Sequence, residues 1–539
     1  MTMCGIFGSI NKNALQDTYT GLSRLEYRGY DSFGYAAITN NQINVVKRLG
    51  SVDKSAFDRS LGYQYDAAIG HVRWATNGEP TLENAHPQQC ENFYVVHNGV
   101  IENAPQNMLD TKWLVNLIKL NGGNVEEIYN KVEGDNAFVF INEAGDVWCV
   151  AKGNKRLYIT TNGYVSSDLN ALAGFSDGAY LLENECCDLS WVVRATPVLP
   201  VPPLRSEPDE TGEHQMLSEI KEQVHLDIEG FFRHKLFRQK RVDCWDVDIV
   251  ATGSSLNAGM FGAYALEQHQ NIFTRCIHAS QAKHRVLGKN VVAISQSGET
   301  KDIIGAMKES EFTCITNNPY STLADMASMT IDLDVGPELA VAATKTFTMS
   351  CIKSALMKYP YDTLPFKMPS ISEGVQDILE RTDEIESIAD RIMGYEHFLF
   401  LGDRQNYPIA LEGALKFKEV AYVHAEGMPS SEMKHGPIAL VDHRVPSLFV
   451  MTEGFSPESM SNIQEIKARK GFVIVIAHDS IVGEFKDIAD IVFSCIDTGE
   501  QYSQSLVLNV VLQLLSYYIA VRRGINPDRP RNLAKCVTV

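Results

Sequence analysis

Val291-Val292-Ala293-Ile294, running into Ser295-Gln296-Ser297-Gly298-Glu299-Thr300, is the stretch on which the fold of this chain turns. Four apolar residues in a row leave no polar face, so the segment needs cover on both sides, as a strand inside a parallel sheet has. The glycine- and hydroxyl-rich turn ends the strand, and a helical period follows. The same grammar recurs outward from it. Asp248-Ile249-Val250-Ala251 runs into Thr252-Gly253-Ser254-Ser255 and a helix, and Phe312 to Ile315 reads as the next strand. Further on, Phe398-Leu399-Phe400-Leu401-Gly402 leads to a helix over Pro408 to Val420, with strands at Ser447 to Met451 and Phe472 to Ile476. Two successive strand–turn–helix modules predict an internally duplicated α/β half with parallel sheets.

The first two hundred residues follow a different rule. Short alternating runs such as Gln42 to Leu49 and Ala137 to Ile141, broken by Asn-Gly and Gly-Asp turns, predict an α+β domain rich in antiparallel sheet. Pro197, Pro200, Pro202, Pro203 and Pro208 close it, and the polar stretch Arg205 to His214 reads as a linker. The expected divisions are 1–204, a linker over 205–240, modules at 241–375 and 376–522, and a tail over 523–539. The apolar stretch Ser505 to Val521 carries Asn509, Gln513 and Ser516 at helical spacing, which predicts a buried helix with one polar stripe rather than a membrane span.

Composition sets limits. Over 539 residues, 45% apolar and 21% charged content are those of globular protein. A net charge of −19 argues against nucleic acid and anionic membranes as partners. Eleven cysteines lie scattered without CxxC or Cys/His spacing, so a reducing cytoplasm and no metal are expected.

Cys4-Gly5-Ile6-Phe7-Gly8 carries the first chemistry. A cysteine at a mature N-terminus holds its own base, because an α-amine titrating at about 7.7–8.0 can accept the proton of a thiol titrating near 8.5. Met1-Thr2-Met3 precede Cys4 here, so this chemistry requires their removal. Three further segments accompany Cys4: Tyr27-Arg28-Gly29-Tyr30-Asp31-Ser32, His71-Val72-Arg73-Trp74-Ala75-Thr76-Asn77-Gly78, and His97-Asn98-Gly99. Together they resemble the glutaminase domain of the N-terminal-nucleophile amidotransferases, which implies an αββα sandwich. The resemblance assigns the oxyanion donors to the Asn98 side chain and the Gly99 N–H. It assigns the glutamine-binding wall to Arg73, Trp74, Thr76, Asn77 and Asp110. Arg73 suits the α-carboxylate and Asp110 the α-ammonium. Asn77 stands where these relatives carry histidine. Arg28 and Asp31 read as a structural ion pair.

In the second half, Ser295, Gln296, Ser297 and Thr300 put four donor side chains into six residues, and Thr252, Ser254 and Ser255 follow the earlier strand. Hydroxyls and amides at strand-to-helix turns suit a phosphate; a plain helix cap is the alternative for any one serine. This half resembles the sugar isomerase domains. With Glu338 to Lys345, Ala410 to Glu419, Ser431 to Pro437 and Pro530 to Lys535 in this order, the whole chain resembles the glutamine–fructose-6-phosphate aminotransferase family. That resemblance implies a Schiff base on Lys535, ring opening by His435, proton transfer between C1 and C2 by Glu419 and help at the alkoxide from Lys416. It adds Val341 and Ala343 to the sugar-phosphate contacts; Ala343 replaces a serine usual there. Glutamine and fructose 6-phosphate are the implied partners, with no cofactor and a homodimer or higher homo-oligomer. A sugar phosphate isomerase with an inert glutaminase is the alternative if Cys4 stays blocked.

Overall fold

The computed structural model of the chain describes residues 4–39, 42–57, 63–75, 79–105, 107–190, 199–201, 214–226, 246–357 and 368–535. It divides into two compact units, Met1–Glu207 with Ala534–Val539, and Pro208–Leu533.

The first unit is built on β1 (Gly5–Ser9), α1 (Ala14–Leu25), β2 (Ser32–Thr39), β3 (Gln42–Leu49), β4 (Ala67–Arg73), β5 (Gln88–Cys90), β6 (Phe93–Gly99), α2 (Asp110–Leu120), α3 (Val125–Lys131), β7 (Asn136–Asn142), β8 (Val147–Ile159), β9 (Tyr164–Ser166), β10 (Gly178–Asp188) and β11 (Leu199–Pro200). The strands pair in the order β3-β2-β4-β1-β9-β8-β7-β6-β5, with β10 beside β8 and β11 beside β10. Every pairing among them is antiparallel. Alternation along β6 sorts its side chains between two layers. Tyr94 and Val96 turn inward with Val139 and Ile141 of β7 to meet Ile6, Ile38 and Ile69 of the β1–β2–β4 end. Phe93 and Val95 turn outward to Leu114, Val115 and Ile118 of α2. On the opposite side α1 lies against β1 and β4 so closely that a Cβ on Gly21 would fall 2.2 Å from the Phe7 ring. One continuous sheet thus folds so that its two ends meet across the inner core, with α2 outside one end and α1 outside the other.

The second unit holds two five-stranded sheets, each parallel throughout. The first comprises β12 (Asp246–Ala251), β13 (Phe273–His278), β14 (Val291–Ile294), β15 (Thr313–Thr316) and β16 (Met329–Asp332), with helices α5 (Gly253–Gln270), α6 (Lys301–Met307) and α7 (Lys345–Leu356). The second comprises β17 (His397–Gly402), β18 (His424–Pro429), β19 (Ser447–Met451), β20 (Val473–His478) and β21 (Ile491–Cys495), with α8 (Asn406–Ala421) between its first two strands. The orders, β13-β12-β14-β15-β16 and β18-β17-β19-β20-β21, are the same topology twice. The unbroken apolar run of β14 has its expected reason: Val292 and Ile294 face one core, Val291 and Ala293 another.

The apolar stretch at 505–521 belongs to α9 (Gln501–Arg522), a helix long and apolar enough to cross a membrane. It is instead the core of this unit, with 94% of its most apolar window buried. Two members of its polar stripe find partners there: Gln513 Oε1 accepts Gln223 Nε2–H at 2.7 Å, and Ser516 Oγ donates to the Gln513 carbonyl at 2.8 Å, whereas the buried Asn509 amide has no hydrogen-bond partner among the described residues. Inside the stretch read as linker, α4 (Gln215–Lys221) buries Met216, Leu217 and Ile220 in the same core.

Candidate active sites

In the first unit, β1 pairs with β4 so that Gly5 lies opposite Val72, which brings Cys4 beside Arg73 and Trp74. Cys4 is buried, its Sγ 3.6 Å from the Trp74 carbonyl. Burial pushes the thiol up, and the charges of Arg73, Lys155 and Arg28 oppose that. Asn98, near the end of β6, donates from Nδ2 to the Cys4 carbonyl at 2.9 Å. Its Oδ1 lies 3.0 Å from His71 Nε2, which is also 3.1 Å from the His97 carbonyl. Gly99 has φ +146°, and a Cβ there would meet the Asp135 carbonyl at 2.3 Å, so only glycine fits. The structure thus brings Cys4, Asn98, Gly99 and Arg73 together.

Asp110 opens α2, where its carboxylate accepts the Thr111 N–H at 2.8 Å and the Ile101 N–H at 3.4 Å. Trp74 is half-buried, edge-on to Tyr30. Thr76 and Asn77 lie outside the described residues. The carboxylate meeting Arg28 is Asp168, at 3.1 Å, while Asp31 accepts the Ala75 N–H at 2.8 Å and holds the loop after Arg73. Three buried histidines back the site. Burial drives His71 down to about 3 and lowers His86 and His97, so all three favour the neutral form.

In the second unit, the order of the first sheet reverses between β12 and β14, and in such sheets the crevice beyond the strand ends at this point takes the ligand. Both turns singled out in the sequence flank it. Ser295 Oγ lies 3.0 Å from Thr300 Oγ1 and accepts the Gly298 N–H at 3.1 Å; Ser297 Oγ accepts the Glu299 N–H at 3.1 Å. The hydroxyls therefore shape the turn as well as line it. The Glu299 carboxylate is tied to the Thr322 N–H and Oγ1 at 2.8 and 2.9 Å, which keeps its charge occupied. Gln296 contributes its carbonyl to Asn317 N–H, and Thr252 Oγ1 meets His278 Nε2 at 3.1 Å. Ser255 is half-buried on α5. The Val341 N–H reaches the Asp528 carbonyl at 3.2 Å, and Ala343 packs on the core.

Beside this crevice lies a buried ionic cluster. Lys416 Nζ stands 3.2 Å from Glu412 Oε1 and 2.6 Å from Glu419 Oε2, and 3.4 Å from Ser254 Oγ. Ser254 Oγ donates to Glu412 Oε1 at 2.8 Å and Asn257 Nδ2 donates to Glu412 Oε2 at 2.9 Å, which joins α5 to α8. Burial opposes the charge on Lys416, but the two carboxylates outweigh it and hold its pKa above the ordinary lysine range. Glu412 is fully buried, whereas the Glu419 side chain is 22% exposed, so Glu419 is the carboxylate that can reach a substrate. Glu412 and Asn257 escaped the sequence reading. The i, i+4 spacing of Glu412 and Lys416 was the available signal. His435 stands exposed at the end of the turn Ser430–His435. Lys535 is half-buried and is counted with the first unit.

The SIS domain family model matches residues 242–356 and 392–523. A glutamine–fructose-6-phosphate aminotransferase [isomerizing] of Aquifex aeolicus is 34% identical over 607 aligned residues, covering all of both chains. One of Francisella tularensis is 32% identical, again over the whole of both. Among solved structures, the C-terminal domain of glucosamine-fructose-6-phosphate aminotransferase from Francisella tularensis covers 60% of this chain and 100% of its own, at 31% identity and a TM-score of 0.52. Tagatose-6-phosphate ketose/aldose isomerase from Escherichia coli shares the fold, at 16% identity and a TM-score of 0.52, over 60% of this chain and 98% of its own.

Proposed function

Because this chain belongs to the isomerising glutamine–fructose-6-phosphate aminotransferase family, we propose a residue-level course for the reaction. The enzyme moves the amide nitrogen of glutamine to fructose 6-phosphate and isomerises the product, giving glucosamine 6-phosphate and glutamate. The N-terminal unit is the N-terminal-nucleophile glutaminase. Cys4, freed of Met1-Thr2-Met3, attacks the side-chain amide carbon, its proton passing to its own α-amine. The tetrahedral oxyanion is met by Asn98 and the Gly99 N–H. Ammonia leaves, and water cleaves the thioester to glutamate. Arg73, Trp74, Thr76, Asn77 and Asp110 hold the glutamine.

At the second site Thr252, Ser254, Ser255, Ser295, Gln296, Ser297 and Thr300, with Val341 and Ala343, hold the sugar phosphate. His435 opens the ring. Lys535 forms the imine at C2 with loss of water, and ammonia displaces the lysine. Glu419 then takes the C1 proton and returns it at C2, while Lys416 stabilises charge on the neighbouring oxygen. Ammonia must arrive unprotonated, which requires a passage closed to water. The working form is a cytoplasmic homodimer or higher homo-oligomer.

The observation that carries this reading is the Lys416–Glu419 pair beside Ser254, a buried cation and a partly exposed carboxylate at the crevice of the first parallel sheet. Mass analysis of the N-terminus tests it, together with glutamine-driven and ammonia-driven synthesis of glucosamine 6-phosphate. A chain beginning at Cys4 that uses glutamine is expected. Full glutamine-driven activity with Met1-Thr2-Met3 retained would refute the role given to the Cys4 amine. Conversion of fructose 6-phosphate to glucose 6-phosphate alone would favour an isomerase with an inert glutaminase.

A further inference from the structure

Asn98 presents a side-chain amide whose two ends have nearly the same shape and opposite hydrogen-bonding sense. Only the NH₂ end can serve an oxyanion. Two neighbours decide which end faces Cys4. The first is the Cys4 carbonyl, an acceptor, 2.9 Å from Nδ2. The second is His71. Its Nε2 faces the His97 carbonyl at 3.1 Å, and a carbonyl can only accept, so Nε2 carries the hydrogen. That N–H also faces the other end of Asn98, at 3.0 Å, which must therefore be the oxygen. The opposite ring nitrogen, Nδ1, is buried with no hydrogen-bond partner among the described residues and holds only a lone pair. His71 is fully buried, its ring 4.2 Å from that of His86, so its plane is fixed.

We propose that His71 is a positioning residue of the glutaminase site: its Nε2–H pins the Asn98 oxygen away from Cys4 and so aims the Asn98 NH₂ at the developing oxyanion. The inference rests on the reading of Cys4 as the nucleophile. With the donor gone, only the Cys4 carbonyl still selects the NH₂ end, and the amide is held less firmly toward the oxyanion. That cost arises in the transition state more than in bound glutamine, so it falls on kcat rather than KM.

The test uses the full chain with Cys4 terminal. His71→Leu removes the donor, whereas His71→Gln keeps an NH₂ group that can serve the same two oxygens. His71→Leu is expected to lower kcat for glutamine hydrolysis about 10- to 100-fold, short of the full loss of an oxyanion donor, with KM changed less than about threefold. His71→Gln is expected to recover kcat to within about fivefold of the parent, and ammonia-driven synthesis to stay unchanged in both. In an Asn98→Ala background, His71→Leu should add less than about a twofold further loss. Parental kcat in a folded His71→Leu protein would overturn the proposal, as would a pure KM effect. Should His71→Leu fail to fold, the comparison of His71→Gln with Asn98→Ala decides, and equal losses in the two overturn it. Cys4→Ala separates this inference from its premise. If the parent hydrolyses glutamine and Cys4→Ala does not, the premise stands whatever His71 does. If Cys4→Ala hydrolyses glutamine like the parent, the premise fails and the inference falls with it.

Discussion

Lys416 is held between two carboxylates of its own helix, one three residues on and one four residues back. Removing the cation leaves Glu412 buried without its partner charge. Lys416→Met should therefore cost about 3–5 kcal/mol of stability in denaturant unfolding, and synthesis of amino sugar should stop. Adding Glu412→Gln should restore part of the stability and none of the synthesis, because the stranded charge is gone while the Lys416–Glu419 pair is still broken. Recovery of both would mean that the cluster serves stability alone. The sequence offered Lys416 and Glu419 as a pair on one face. The third member needed the fold, since Ser254 and Asn257 meet Glu412 from more than 150 positions away.

Strands β4 and β6 place His71 and His97 in one buried layer, and His86 packs on His71. All three have pKa values lowered by burial, to about 3 for His71. A lowered histidine pKa means that the fold prefers the neutral ring. The stability it contributes is complete above the unfolded value of about 6.5 and is lost as pH falls toward 3. Each such histidine should remove about 1.4 kcal/mol per pH unit within its window. The melting transition of the first unit is expected to drop steeply below pH 6.5, and His71→Gln to lessen the slope; an identical slope in that variant would assign the acid lability elsewhere. The turn after β14 depends on its glycine. Gly298 has φ +67°, and a Cβ there would lie 1.8 Å from Ser321 Oγ. Gly298→Ala should cost upward of about 1–3 kcal/mol and raise KM for fructose 6-phosphate, while glutaminase activity stays intact.

For the molecule as a whole, the two chemistries proposed for this chain draw on separate sets of side chains, so they should separate by mutation. Lys535→Ala is expected to abolish glucosamine 6-phosphate formation from either nitrogen source and to leave glutamine hydrolysis measurable. Persistent amino-sugar synthesis in that variant would remove the imine step from the mechanism. Much of the architecture was legible beforehand, because apolar runs such as Val291 to Ile294 and alternating runs such as Ala137 to Ile141 report burial on two faces or on one. The helix inside the expected linker was less legible. Its apolar face, Met216, Leu217 and Ile220, is short and follows a polar, proline-rich stretch.

Sequence alone nominated the groups that could react and determined in which kind of element they stand, because thiol, amide, lysine and carboxylate chemistry belongs to side chains, and strand and helix periods are local. It also gave away the duplication, since each module repeats one local grammar. Tertiary structure alone decided the partners: His71 against Asn98, Ser254 and Asn257 against Glu412, and Glu299 drawn off to Thr322. The physical reason is that tautomer, amide orientation and charge state are set by whichever groups folding brings within about 3 Å, and linear order carries no such distance.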